Sequence, residues 1–224
     1  MLNLIRSILR DPFDRFIHPY FTKKIGVFNG VAVREQVPLF NDTDVFPDYE
    51  SGICRSLQTH VDTGDEVVII GGGLGVTTVL AGELAGTEGH VTTYEGSASQ
   101  YERVRDTVQL NRVDDQIEVI HAVVGTYREE SVEKYGSSGS ADPVDIDSLP
   151  ECDILELDCE GAEIEILKNL CISPRYIIVE THGFLGASLN DVEELLAELG
   201  YTLLDIQAEV ASEGIHVVVA ERIQ

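Results

Sequence analysis

Between Val67 and Glu95, two apolar runs and one glycine cluster restrict the fold more tightly than any other part of the chain. Val67-Val68-Ile69-Ile70 is an uninterrupted, mostly β-branched run that reads as a buried strand, and it leads directly into Gly71-Gly72-Gly73-Leu74-Gly75. Val91-Thr92-Thr93-Tyr94-Glu95 reads as a second strand whose terminal acid lies 20 residues past Gly75. Glycine admits positive φ and lets backbone approach a ligand closely, and a carboxylate at the tip of the next strand can accept both hydroxyl protons of a ribose. The pairing is a nucleoside-binding signature. Its spacing also discriminates: Gly71, Gly73 and Gly75 spell G-x-G-x-G, whereas the dinucleotide fingerprint G-x-G-x-x-G requires glycine where Val76 or Thr78 stands. A pyrophosphate ligand is therefore disfavoured.

From Val67 onward, strand and helix patterns alternate, the mark of a doubly wound, mostly parallel sheet covered on both faces. The expected strands are 67–70, 91–95, Ile117 to His121, Asp153 to Leu157 and Tyr176 to Glu180. Between them fall a helix from about Leu74, one over Ala98 to Asn111 opened by a capping box at Ser97-x-x-Gln100, and one over Ala162 to Leu170. Another runs from Asp191 to Leu199, starts with Asn190-x-x-Glu193 and stops at Gly200. The segment 125–150, with its Gly-Ser cluster and Asp142-Pro143, is expected to be a mobile loop. Two strands, Thr202–Ile206 and Ile215–Ala220, close the pattern. The eight residues between them, Gln207 to Gly214, are too few for a parallel crossover, so they must form an antiparallel hairpin. An all-parallel dinucleotide fold does not end this way.

The chain of 224 residues suits a single domain, with residues 1–60 as an extension of it and 61–224 as its body. In the extension, Ile25–Arg34 reads as a hairpin about Asn29-Gly30, and a helix is expected from about Asp48, its N-cap, to Val61. Residues 1–10 read as a short amphipathic helix docked on the domain. Arg6 and Arg10 interrupt their apolar face and no small-residue cleavage site follows, so neither a signal peptide nor a membrane span is expected there. The 40 acids outnumber 15 bases, giving a net charge of −25, with lysine only at 23, 24, 134 and 168. Phosphate neutralisation needs a basic face, so no nucleic-acid partner is expected. Acids spread along the whole chain suit the cytoplasm of a halophile, where charge maintains solubility in molar salt. Cys54, Cys152, Cys159 and Cys171 form no C-x-x-C pair and read as reduced thiols.

The glycine turn, Tyr94-Glu95, Leu110-Asn111, Ala122-Val123-Val124-Gly125 and the run Leu157-Asp158-Cys159-Glu160-Gly161-Ala162-Glu163 resemble the FkbM-like family of S-adenosylmethionine-dependent methyltransferases over roughly residues 45 to 185. The resemblance implies a seven-stranded Rossmann-like methyltransferase sheet with an antiparallel C-terminal strand. It also implies methylation of a small-molecule or glycan hydroxyl. One position departs from it: the family usually carries an acid two residues before the first glycine of the turn, where this chain has Ile69.

The expected cofactor site draws on Gly71, Gly72, Gly73 and Gly75 beneath the methionine and ribose, and Glu95 with Gly96 at the ribose diol. Ala122 and Val123 would flank the adenine, and Asp158 would lie near the cationic end of the cofactor. Candidate catalytic residues are His182 as base, Glu180 setting its tautomer or touching the acceptor, and Glu160. Glu163 reads as an acid answering a helix dipole. Asp48-Tyr49-Glu50 and the 125–150 loop are expected walls of the acceptor pocket. The expected site needs no metal. Its metal-assisted variant would use Asp158, Glu180 and His182 as ligands to a divalent ion. Two other readings remain: an NAD-linked oxidoreductase, and a non-catalytic nucleoside-binding module to which Ile69 would belong.

Overall fold

A computed structural model describes residues 24–35, 43–126 and 138–223. The helix expected over residues 1–10 lies outside them. The first described segment is a hairpin in which β1 (Lys24–Phe28) and β2 (Val31–Glu35) pair antiparallel, with Phe28 opposite Val31. Asn29 and Gly30 join them at φ of 47° and 89°, the doubly positive turn that an Asn-Gly pair favours. β3 (Val45–Phe46) adds to β1 in parallel, stacking Phe46 on Phe28 with ring centroids 4.5 Å apart.

The helix expected over Asp48–Val61 is α1, Ser51–His60, and Asp48 does not cap it. Glu50 occupies the N-cap in the left-handed region, and the Ser51 and Gly52 N–H groups donate to Glu209 Oε1 and Oε2 at 2.9 and 2.8 Å. A bidentate carboxylate from the far end of the sequence thus satisfies two orphan donors and opposes the helix dipole. No local pattern announces such a partner.

Beyond α1 the chain follows the expected alternation: β4 (Glu66–Ile70), α2 (Val76–Ala85), β5 (His90–Glu95), α3 (Ala98–Asn111), β6 (Ile117–Val124) and β7 (Asp142–Val144). Then come β8 (Ile154–Leu157), α4 (Glu163–Lys168), β9 (Tyr176–His182), α5 (Leu189–Glu198), β10 (Tyr201–Val210) and β11 (Ile215–Arg222). The bounds of α3 are those expected, and Ser97 Oγ accepts the Gln100 N–H at 3.4 Å. α5 begins earlier than expected, because Ser188 rather than Asn190 is its cap, with Oγ accepting the Asp191 N–H at 3.3 Å. Gly200, at φ 85°, ends it.

Eight strands make one sheet in the order β10-β11-β9-β8-β4-β5-β6-β7, one more than the expected seven. The eighth is β7, within the segment expected to be loop, of which 127–137 falls outside the described residues. It pairs in parallel with the end of β6, Ala122 opposite Asp142. Pro143 can occupy such an edge strand because it gives up only one donor. Buried Ile146 and Leu149 then fasten the segment to the core. The C-terminal hairpin is present. Within it β11 is the reversed strand, lying antiparallel to both β9 and β10.

Both faces of the sheet are buried, which explains the unbroken apolar runs. Val67, Ile69, Ile154, Ile178 and Val217 pack on the α1–α2 side, and Val68, Ile70, Leu155, Leu157 and Val179 on the other. The winding runs outward from β4 through β5 and β6, then returns to β8 on the opposite flank of β4. The carboxyl ends of β4 and β8 therefore flank a topological switch point, where doubly wound sheets bind ligands. Among the described residues no helix is long and apolar enough to cross a membrane.

Removing the long-range cap should be measurable. Glu209→Ala is expected to lower stability by about 1–2 kcal/mol, seen as a fall of several degrees in thermal unfolding. Glu213→Ala, at an exposed turn position, should leave the transition unmoved.

Candidate cofactor and acceptor site

A cleft opens at the switch point, with a free volume of about 760 Å³ counting its open mouth, within the range of small-molecule sites. Its walls include Gly71, Gly73, Glu95, Gly96, Ala122, Val123, Asp158 and Glu160, together with the expected wall residues Tyr49 and Glu50. Thr126, of the expected 125–150 wall, also lines it, as do Tyr94, Gln100 and Cys159, which belong to the sequence motifs without an expected role in the site. Gly72, Gly75, Glu180 and His182 lie outside the lining.

The glycines divide into different tasks. Gly71 has φ 103°, and a Cβ there would stand 1.8 Å from the Asp158 carbonyl oxygen, so only glycine lets β4 pass the loop after β8. Side chains at Gly72 or Gly75 would press on Val104, Thr93 or Thr107, so these two serve the packing of α3. Gly73, at φ 53°, faces the cleft, and the nearest atom to its would-be Cβ is Glu50 Oε1 at 3.7 Å. Glu95 fastens the turn. Its Oε2 accepts from the Gly72 and Gly73 N–H groups at 2.9 and 3.1 Å, and its Oε1 from the Ser97 N–H at 2.7 Å. Burial raises its pKa, and the three backbone donors oppose the rise.

Ile69 is fully buried in the core. Its neighbour in register on β8 is Glu156, 1% exposed, so a carboxylate lies one strand away from the position where the resemblance implies one. Burial, then the charges of Glu50 and Glu180, push the Glu156 pKa well upward. Burial and the same two neighbours, with His182 opposing, raise Asp158 too. Glu50 rises to about 7, chiefly through burial and then through Glu180 and Glu209, while its hydrogen bond with Tyr49 opposes the rise.

His182 ends β9 at 1% exposure. Its Nδ1 lies 2.8 Å from Oε1 of fully buried Glu163, so Glu163 rather than Glu180 fixes the tautomer. The reading of Glu163 as only a helix-dipole acid is thereby corrected: it opens α4 and also holds the imidazole. His182 Nε2 points toward Glu180 Oε1, Asp158 Oδ1 and Glu160 Oε2, at 3.5, 3.6 and 3.7 Å. Burial alone would lower the imidazole pKa, but bonding to Glu163 and Glu180 and the Asp158 charge carry it up to about 11. Glu160 reaches the group from a left-handed backbone at φ 51°, a conformation that a non-glycine residue adopts at a cost.

Residues 144–203 match the family model of the methyltransferase FkbM domain. That stretch, about a quarter of the chain, is similar to the FkbM methyltransferase domain. The matched stretch contains the Asp158–Glu163 run and the end of β9, while the glycine turn and Glu95 precede it. No curated protein sequence matches the chain significantly. Among solved structures, a putative rRNA-methylase from Clostridium thermocellum is similar at 16% identity and TM-score 0.52, over 76% of this chain and 93% of that one. A SAM-dependent methyltransferase from Aquifex aeolicus is similar at 13% identity and TM-score 0.51, over 76% and 89%. P. horikoshii TYW2 in complex with MeSAdo is similar at 16% identity and TM-score 0.55, over 89% and 70%. The matched domain and the shared fold are both those of methyltransferases.

Two outcomes are expected from this geometry. Gly71→Ala should fail to fold or lose more than about 3 kcal/mol of stability, whereas Gly73→Ala should cost about 1 kcal/mol and act on ligand binding, both read by thermal unfolding with and without ligand. For Glu50, the folded chain keeps a proton that the unfolded chain has released between pH 4.5 and about 7, so stability declines as pH rises through that window. Glu50→Gln removes the Glu50 share of the decline. In chelator-containing buffer the variant should exceed the parent by up to about 3 kcal/mol at pH 8 and match it near pH 4.5.

Proposed function

We propose that the chain is an S-adenosylmethionine-dependent O-methyltransferase acting on a hydroxyl of a small molecule or glycan. The observation that carries this reading is a single cleft in which the open edge at Gly73, the strand-tip acid Glu95 and Asp158 and Glu160 of the FkbM-matched segment face one another. The residues suit the cofactor. Gly73 leaves room for close backbone approach, and Glu95 Oε1, which accepts the Ser97 N–H, keeps a second lone pair for a ribose hydroxyl. Ala122 and Val123 offer apolar surface to an adenine, and Asp158 a negative charge to the methionine ammonium.

When bound, S-adenosylmethionine would supply an activated methyl on a cationic sulfur, and the protein's task is alignment. Glu160 lines the cleft, as Asp158 does, while Glu180 and His182 lie buried outside its lining. The acceptor proton would leave toward Glu160, with His182 and Glu180 setting the local charge. Residues 24–35 and 43–60 belong to the same folding unit in this reading, supported by the Asn111 side chain, which bonds to both the N–H and C=O of Ala32. One neighbour is named as a putative rRNA-methylase, but a net charge of −25 favours a non-phosphate acceptor and a halophile's cytoplasm.

An NAD site would share the glycine turn and strand-tip acid. The reversed β11 and the G-x-G-x-G spacing count against it. The readings separate in thermal unfolding in molar KCl with S-adenosylhomocysteine, and separately NAD, at about a hundred times a plausible Kd. A ligand bound only by the folded state should add about 2.7 kcal/mol, roughly 5–10 °C. A rise with S-adenosylhomocysteine alone is expected; a rise with NAD alone, or with neither, would sink the proposal.

A further inference from the structure

Four carboxylates converge on one imidazole where β8 and β9 end. Nδ1 lies 2.8 Å from Glu163 Oε1, and with an ionised carboxylate there it is the ring nitrogen that carries hydrogen. The opposite nitrogen, Nε2, then faces Glu180 Oε1, Asp158 Oδ1 and Glu160 Oε2 within 3.5–3.7 Å. A proton on Nε2 could be donated to one of these three oxygens and leave the others facing like charge. Glu180, 8% exposed, has a second oxygen, Oε2, that is buried and has no hydrogen-bond partner, and the same holds for Glu163 Oε2. Leaving buried carboxylate oxygens unanswered is unfavourable.

Spacing indicates what would answer them. Ligand atoms of Asp158, Glu160 and His182 all lie within 4.8 Å of one another, and donors held about 2.0–2.2 Å from a common ion stand about 3–4 Å apart. The imidazole is already oriented as in metal sites, its far nitrogen bound to a buried carboxylate. We propose that Asp158, Glu160 and His182 bind a divalent cation, with Glu163 orienting the imidazole and Glu180 placed to accept from water on the ion. Two oxygens and one nitrogen suit a cation of the Mn²⁺ and Mg²⁺ class better than a thiophilic one. Asp158 and Glu160 line the cleft while His182 and Glu180 close the inner side, so the open coordination positions face the acceptor pocket. An ion there would hold an acceptor hydroxyl and make it more acidic. That role rests on the methyl-transfer reading, whereas the binding itself rests on the side chains alone.

The test uses the full chain, stripped with chelator, titrated with Mn²⁺ alone in molar KCl to suppress diffuse binding by surface acids. Electron paramagnetic resonance should show one saturable Mn²⁺ per chain, and its pulsed form should show coupling to a directly bound nitrogen. His182→Gln should abolish that coupling. Asp158→Asn and Glu163→Gln should each weaken Mn²⁺ binding about tenfold or more, and exposed Asp147→Asn should not. Absence of a saturable site in the parent chain, or a bound Mn²⁺ without nitrogen coupling, would overturn the proposal and leave a buried imidazolium as the whole content of the cluster. Nitrogen coupling that persists in folded His182→Gln, with circular dichroism as the check, would overturn it as well. S-adenosylhomocysteine stabilisation measured in chelator separates the two claims. If it persists while Mn²⁺ fails to bind, only the cation site falls; if Mn²⁺ binds and S-adenosylhomocysteine does not, only methyl transfer falls.

Discussion

The missing side chain of Gly71 is the constraint on which the rest of this structure depends. β4 and β8 lie side by side although much of the chain separates them, and at their carboxyl ends the two connections must cross within van der Waals distance. A methyl group at Gly71 would overlap the Asp158 carbonyl, so the switch point forms only because that atom is absent. The crossing brings together two sequence regions with different chemistry. β4 delivers backbone N–H groups and room for a ligand, while β8 delivers carboxylates. The cleft is the space between them.

Charge is distributed unevenly around that space. On the β5 side Glu95 accepts from three backbone donors, so it acts as a fastener for the glycine turn as well as a candidate ligand group. On the β8–β9 side Asp158, Glu160, Glu163 and Glu180 gather around a single histidine with Glu50 and Glu156 close by, and burial holds Glu50, Glu156 and Asp158 toward their neutral forms. Folding accepts this repulsion because β8 and β9 are locked by parallel pairing and by apolar packing on both faces. A region maintained against its own electrostatics is where binding of a cation would return the most free energy.

Features encoded by near neighbours were legible in the sequence. Ser97 and Gln100 marked the start of α3, Asn29-Gly30 fixed a hairpin turn, and the short interval before Ile215 forced antiparallel pairing. Features that depend on distant partners were not. Glu209 caps α1 from 157 residues away, and nothing near Asp48 reveals that the cap comes from elsewhere. Glu163 met every local expectation of a helix-opening acid, and only the return of β9 beside α4 brings His182 within 2.8 Å of it. β7 was hidden by its composition, because Pro143 and its Gly-Ser surroundings resemble loop until an adjacent strand supplies the pairing. Ile69 was legible as a departure, but the carboxylate beside it in register, on Glu156, required the strand order.

The reversed strand β11 imposes a division on the cleft. It lies between β9 and β10, with Val217 opposite Glu180 and Ile215 opposite His182, so the backbone carrying both residues stays an unpaired sheet edge until β11 inserts. The glycine turn, Glu95 and the β4–β8 crossing make no pairing with residues 215–222, whereas the histidine corner does. The acidic side of the cleft therefore depends on pairing with β11, and the glycine-turn side does not.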